Sequence, residues 1–168
     1  MTDLFSIGVP DADLEAPAFE PMATGAYRTK LEPGTTLAEN ASGWKGIRIP
    51  FAGFTNVKTG QRFERALRAQ FTYAHPTSKD AVEIGNRSIV GAAAALGLTE
   101  PTVSDGKPGQ KLTATSPEQL VEQFEAMAGT EVEVYLVAKP RKRAGQAVLK
   151  ADGSAVMDNE IRNVRAAK

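Results

Sequence analysis

The chain has 168 residues and a mass of 17.9 kDa, which suits one domain of ordinary size. It has no cysteine and one histidine, His75, so disulfide scaffolds and thiol nucleophiles are excluded, and a histidine-based zinc centre or serine-histidine-aspartate triad is disfavoured. No segment approaches the roughly 20 apolar residues of a membrane helix, and the first residues lack the basic start of a secretory signal. We therefore expect a cytoplasmic protein.

The net charge is zero, but the charges are segregated along the chain. Residues 1–25 carry −5, residues 26–76 carry +5, residues 77–138 carry −5 and residues 139–168 carry +5. Two separate basic blocks are typical of a protein that brings them together as one positive surface for an anionic partner. The alternative is that they are solvated strand faces with no partner.

The first half of the chain divides into an arm and three strands. Residues 1–25 are acidic, contain three prolines and lack sustained periodicity, which predicts a flexible arm ahead of a single domain over residues 26–168. Alternation of apolar and polar side chains then predicts strands at residues 26–32, 44–51 and 62–73.

The second half changes from the helical period back to alternation. Apolar spacing predicts a helix over residues 79–97, followed by a mobile linker over residues 99–115. Ser116 and Pro117 form the cap and first position of a second helix, which Gly129 ends. Further strands are predicted at residues 130–138, 146–150 and 158–165, with a basic loop at residues 139–143 after the first of them.

This order of elements predicts a mainly β or α+β domain. Among such domains, the five-stranded oligonucleotide/oligosaccharide-binding (OB) barrel often has its helix between strands three and four. We therefore predict an OB-like barrel with one or two helices at that position; any β-sheet packed on two helices is the alternative. In the OB fold, the face of strands two and three and the loop between strands four and five bind nucleic acid.

The residues that catalysis or metal binding requires do not form a recognisable pattern. Asp11, Asp13 and Glu15 alternate, but in a proline-containing arm with no rigid frame for a cation. The glycine- and lysine-containing segment 104–111 lacks the spacing of a phosphate-binding loop. We expect no enzymatic activity, no metal and no cofactor.

Basic and aromatic side chains interleave in the way that single-stranded nucleic acid requires, because cations neutralise phosphates and aromatic rings stack on bases. Trp44 and Phe54 are the stacking candidates, and core packing is the alternative for each. Tyr135, on the face opposite Val134, is predicted either to stack or to cover a helix. Four bases within residues 139–143 repel one another unless an anionic partner binds them. The predicted nucleic-acid-binding residues are Arg28, Lys30, Trp44, Lys45, Arg48, Phe54, Arg62, Arg68, Lys139, Arg141, Lys142 and Arg143.

Several segments carry a family resemblance. Residues 19–28 (FEPMATGAYR) form a proline-containing lead and a Gly-x-Tyr before alternating basic residues. A Lys-Thr-Gly turn follows at residues 58–60, and a helix that ends in Ala-Leu-Gly-Leu lies at residues 87–98. Residues 120–134 contain a helix and a glycine before a valine strand, and residues 159–164 form the closing strand. The chain resembles phage-encoded single-stranded DNA-binding proteins of a widespread uncharacterised type.

The resemblance covers most of residues 19–165. It implies an OB-like barrel that binds single-stranded DNA during phage DNA replication or recombination, in the host cytoplasm, with replication or recombination proteins as further partners. The chain departs from one common pattern: bacterial single-stranded DNA-binding proteins usually carry an acidic tail at the C-terminus, whereas the acidic run here is N-terminal.

We therefore predict a non-enzymatic single-stranded DNA-binding protein with little sequence specificity. Residues 1–25 are predicted to cover the basic surface when DNA is absent, so that their deletion tightens binding at low salt. The alternative function is a protein-interaction module whose basic blocks bind an acidic partner protein. We expect no membrane partner, and the sequence leaves a homo-oligomer open.

Overall fold

The computed structural model describes residues 22–167 and has a mainly β, α+β architecture. The elements are β1 (Gly25–Leu31), β2 (Thr36–Glu39), β3 (Lys45–Asn56), β4 (Arg62–Ala74), α1 (Lys79–Ala95), β5 (Thr99–Ser104), β6 (Lys107–Leu112), α2 (Pro117–Ala126), β7 (Glu131–Pro140), β8 (Lys142–Arg143), β9 (Gln146–Ala147) and β10 (Met157–Ala166). The predicted fold class is confirmed. No helix in this part of the chain is long and apolar enough to cross a membrane.

Six strands form one open antiparallel sheet. Hydrogen bonding runs β10–β7–β1–β3–β2, and β4 pairs with the other side of β3. The long strand β3 is central, because β4 follows one of its sides while β2 and β1 share the other. Across the gap between β4 and β10, Arg65 Nη1 donates a hydrogen bond to Asn159 Oδ1 at 3.2 Å.

The core lies on one side of this sheet, because alternate residues of each strand point to the same face. The sheet residues among the largest fully buried side chains are Tyr27, Leu31, Ile47, Ile49, Phe54, Val132, Val134 and Leu136. Helix α1 adds Ile89, Ala92 and Ala93, and α2 adds Leu120 and Phe124. Each large apolar side chain stabilises the fold by roughly 1.5–3 kcal/mol when buried. Burial of these side chains therefore determines which side of the sheet packs against the helices and which side faces away from them.

The helix ends follow the predicted capping chemistry. Ser116 Oγ accepts a hydrogen bond from the Gln119 N–H at 3.1 Å, and Pro117 occupies the first turn. Ser78 Oγ accepts in the same way from the Ala81 N–H at the start of α1. Gly97 and Gly129 follow the two helices with φ angles of 73° and 93°, a region that favours glycine. Both predicted helices are confirmed.

Several elements differ from the sequence prediction. The predicted linker at residues 99–115 is instead mostly the hairpin β5–β6, because Asp105 and Gly106 both have positive φ angles, 51° and 75°, and form a tight turn that pairs the flanking residues. Strand β2 lies in a segment for which no element is predicted, and it pairs with the first residues of β3. The strand predicted at residues 146–150 is limited to the two-residue β9.

Met22, the first residue that the structure describes, is part of the folded domain. Met22 is fully buried, its N–H donates to Asn159 Oδ1 at 3.1 Å, and its carbonyl accepts from Asn159 Nδ2 at 2.7 Å. Contacts of the folded domain therefore extend to residue 22. The rest of the predicted arm, residues 1–21, lies outside the described residues.

Candidate nucleic-acid interface

The side of β1, β3 and β4 that points away from the helices is hereafter called the outer face. Strand alternation opposite the buried residues assigns six charged side chains to it, five cations and one carboxylate, for a net charge of +4. They are Arg28, Lys30, Arg48, Arg62, Arg68 and Glu64. Glu64 Oε1 lies 3.7 Å from Arg62 Nη2, and both side chains are well exposed. Five of the predicted nucleic-acid-binding residues thus share one surface.

Two of these cations flank a single residue of the central strand. Arg28 on β1 and Arg62 on β4 are both register partners of Thr55 on β3. Since adjacent strands lie about 4.8 Å apart, the two Cα atoms are about 10 Å apart across the sheet. Both arginines and Lys30 line a cleft of about 400 Å³, together with Gly53, Thr55 and Glu131. Cations of β1 and β4 therefore border this cleft on two sides.

Small side chains form the floor between the cations. Ala52 of β3 pairs with Ala66 of β4 and with Lys30 of β1, and Pro50 pairs with Arg68. Further along β3, Arg48 Nε donates a hydrogen bond to Gln70 Oε1 at 3.0 Å. The face is therefore a strip bounded by long basic side chains, without a bulky residue in its middle.

Trp44 lies at one end of this strip. Its Nε1 donates a hydrogen bond to Thr72 Oγ1 at 2.9 Å, and its ring covers Gly46, where a Cβ atom would lie 2.7 Å from Trp44 Cζ2. Gly46 and Thr72 are in phase with the outer face, so the indole is on that face and outside the hydrophobic core. Trp44 as a whole is half-buried.

The stacking prediction for Phe54 is wrong, because its side chain is only 1% exposed. The alternation of β3 changes phase at Gly53, whose φ of 71° favours glycine, and the register of β3 with both β1 and β4 shifts there. This change turns Phe54 into the core, opposite Phe63, and returns Thr55 to the outer face. Lys45 begins β3 in phase with Ile47, opposite Glu39 of β2, and so is not on the outer face.

The basic segment 139–143 forms part of a hairpin extension between β7 and β10. Lys139 Nζ lies 2.7 Å from Glu160 Oε2, and Arg141 Nη2 lies 2.7 Å from Asp158 Oδ1. The hydrogen bond and charge of Asp158 raise the pKa of the Arg141 guanidinium above its usual value. Two carboxylates of β10, Glu160 and Asp158, therefore partly balance the charge of this segment across the ladder.

The tip of this hairpin keeps two exposed cations, Lys142 and Arg143, before a turn in which Ala144 and Gly145 have positive φ angles. The hairpin leaves the sheet at the strand ends where β1 begins and β3 ends. These strand ends are nearer to Arg28 and Arg62, and Trp44 lies at the opposite end of the strands. The two cations thus lie beyond the other end of the strip.

Two polar residues of the outer face, Gln70 and Thr55, are not among the predicted nucleic-acid-binding residues. The alternation of β4 contains the signal for Gln70, because it is in phase with Arg68. The phase change at Gly53 hides Thr55. His75 has a structural role: its Nδ1 accepts hydrogen bonds from the N–H groups of Thr77 and Ser78 ahead of α1.

Within residues 22–167, no group of three or more histidine or carboxylate side chains is placed to hold a metal ion. The geometry that is present suits the binding of an extended anion, with cations along two borders and an aromatic ring at one end. In comparisons with known proteins, no protein-family model matches the chain, and no significant match is found among curated proteins.

Proposed function

We propose that the chain binds single-stranded DNA along the outer face, with little sequence specificity, and acts in DNA replication or recombination of the phage type that the sequence resembles. The observation that supports this most strongly is the outer face itself: five cations border a floor of small side chains, with Trp44 at its end. Single-stranded nucleic acid is bound by such grooves, in which cations follow the backbone and aromatic rings stack on bases.

The proposal extends to the fold as a partly open OB-like barrel. Five long strands follow one another in the order β10–β7–β1–β3–β4, and both helices come between β4 and β7 in the chain. The Arg65–Asn159 hydrogen bond brings the two ends of this path towards each other, and α1 packs against both. In this assignment β3 and β4 are the second and third barrel strands, whose face binds nucleic acid in the OB fold.

Electrostatics supplies most of the expected affinity. Each phosphate that a lysine or arginine neutralises releases counterions, so the logarithm of the binding constant falls with the logarithm of salt concentration by about 0.7 per contact for single strands. If all five cations contact phosphates, the slope is about −3.5. Stacking on Trp44 adds about 1–3 kcal/mol and tolerates any base, which explains the expected lack of sequence specificity.

A pair of double variants tests the proposed surface. Arg62→Gln/Arg68→Gln removes two exposed cations from the outer face. Arg87→Gln/Lys111→Gln is the control, because it removes the same charge from α1 and from the β5–β6 hairpin. We expect the first variant to bind a labelled oligo-dT roughly 25-fold more weakly at 0.1 M salt, with a slope less steep by about 1.4.

The control variant is expected to bind like the wild-type chain. Equal loss in both variants would show that net charge, not the outer face, determines binding, and would contradict the proposed site. A wild-type chain that does not bind the oligonucleotide at low salt would contradict the function itself; an acidic partner protein would then be the next ligand to test.

A further inference from the structure

The positive surface continues beyond β1 onto β7 and β10. By register, one row of side chains crosses five strands: Arg62, Thr55, Arg28, Glu133 and Arg165. The row contains three cations and one carboxylate. Sequence reasoning placed neither Glu133 nor Arg165 in a site.

Glu133 is the unusual member of this row, because it is 5% exposed although it lies on the side of the sheet away from the helices. Arg165 Nη2 lies 2.7 Å from Glu133 Oε1, and Arg28 is the register partner of Glu133 on the other side. The hydrogen bond and charge of Glu133 raise the pKa of Arg165. The buried carboxylate thus holds an exposed guanidinium on the surface of β10, in line with the cations of the outer face.

Tyr135 lies next to this row. It follows Glu133 by two residues on β7, so both point to the same side, and Tyr135 is 44% exposed. Its register partners are Ala26 on β1 and Asn163 on β10, both of which have short side chains. The helices pack on the opposite side, with Val134 and Leu136, so the prediction that Tyr135 covers a helix is wrong.

The charges near Tyr135 favour an anionic ligand. Glu160 of β10 is opposite Val137 of β7, on the same side of the sheet as Tyr135. Glu160 Oε2 is 2.7 Å from Lys139 Nζ and 3.8 Å from Arg162 Nε, so two cations neutralise it. An exposed aromatic ring therefore stands between Arg28 and Arg165 on one side and a neutralised carboxylate on the other.

We propose that Tyr135 is a second base-stacking residue, so that bound single-stranded nucleic acid crosses the sheet diagonally from Trp44, over the Arg28–Arg62 cleft, to Tyr135. This inference rests on the proposed function. Along β3, the path from Gly46 to Thr55 is about 30 Å, and Tyr135 lies two strands further, about 10 Å across. The two rings are therefore too far apart for adjacent bases, and they hold the two ends of one bound segment.

Two variants at this position separate stacking from structure. Tyr135→Ile keeps a strong strand former at an exposed site but removes the ring. Tyr135→Phe keeps the ring and removes only the hydroxyl. We expect Tyr135→Phe to bind labelled oligo-dT like the wild-type chain, and Tyr135→Ile to bind roughly 5- to 150-fold more weakly, the range that loss of one base–aromatic stack gives.

Two further readouts identify the cause. The salt dependence of binding is expected to be the same in all three chains, because the ring contacts no phosphate, and the quenching of Trp44 at saturation is also expected to be unchanged. Wild-type affinity in Tyr135→Ile would overturn the inference while leaving the proposed function intact. A loss accompanied by a shallower salt slope would also overturn it, because the cations would then be displaced. Absence of binding by the wild-type chain would overturn both proposals.

Discussion

Gly85 of α1 packs directly against the backbone of β4, and this contact gives a sharp stability prediction. A Cβ atom at this position would lie 2.7 Å from the carbonyl carbon of Thr72 and 2.9 Å from its nitrogen, and closer still to the carbonyl oxygen. These are backbone atoms of β4, which is held in the β3–β4 ladder, so no side chain can move aside. Gly85→Ala therefore forces α1 away from the sheet.

The cost follows from the distances. Ordinary contact begins near 3.4 Å, so the helix must retreat by more than 0.7 Å along a side that buries Ile89, Ala92 and Ala93. Overpacking of this kind costs about 1–3 kcal/mol and occasionally more, while replacing glycine by alanine in a helix returns about 1 kcal/mol. Because backbone atoms are involved, we expect the upper end of this range, a net loss of about 2 kcal/mol or more.

Gly91 in the same helix is the matched control. A Cβ atom there has its nearest neighbour, the Val164 carbonyl oxygen, at 3.7 Å, which is ordinary contact. Gly91→Ala should therefore stabilise the protein by up to about 1 kcal/mol through helix propensity alone. Urea unfolding followed by circular dichroism measures both changes. A Gly85→Ala chain as stable as the wild type would refute the close packing of α1 on β4.

Three further predictions concern other parts of the molecule. Phe54→Leu is expected to lower the stability by about 1 kcal/mol in urea unfolding but to leave oligo-dT affinity unchanged; a tenfold loss of affinity in the folded variant would contradict the core position of Phe54. Burial, followed by the charges of Glu118 and Glu39, raises the pKa of Tyr73 above 10.0. The folded state therefore holds this proton more tightly than the unfolded state, and the resulting stability is present below pH 10.0 and lost above it. Tyr73→Phe should show a smaller fall in its urea midpoint across this pH window than the wild type, and an identical fall would contradict the assignment. Removing residues 1–21, which carry five acidic and no basic side chains, should tighten oligo-dT binding at low salt and have little effect at high salt, where charges are screened; equal affinity at low salt would refute competition by this segment.

The sequence predicts those helices and strands for which the periodicity of apolar residues and the residues at the element's ends indicate the same structure. Alternation over β1, β3 and β4 and the caps at Ser116 and Gly129 are local signals, and the structure contains each of these elements within a few residues. The fold class follows from their order. Local signals also assign Arg28, Lys30, Arg62 and Arg68 to one side of their strands, because each lies opposite a buried neighbour in a regular alternation.

The sequence predictions are wrong where tertiary contacts or a single backbone angle determine the local structure. A positive φ at Gly53 reverses the phase of β3, and nothing in the alternation before it indicates that Phe54 turns inward. The hairpin β5–β6 depends on the turn at Asp105 and Gly106, although Pro101, Pro108 and Gly109 in its strands are poor strand formers. The pairing of Lys139 and Arg141 with carboxylates of β10 requires the β7–β10 register, which the sequence does not provide.

Titration of a fluorescein-labelled oligo-dT at two salt concentrations, followed by anisotropy and by the emission of Trp44, tests the central claim most directly, because the chain has only one tryptophan. The outer-face account predicts tight binding that weakens steeply with salt, together with quenching of Trp44. Salt-sensitive binding without quenching would contradict the role of Trp44. No binding at low salt would contradict single-stranded DNA binding by this protein.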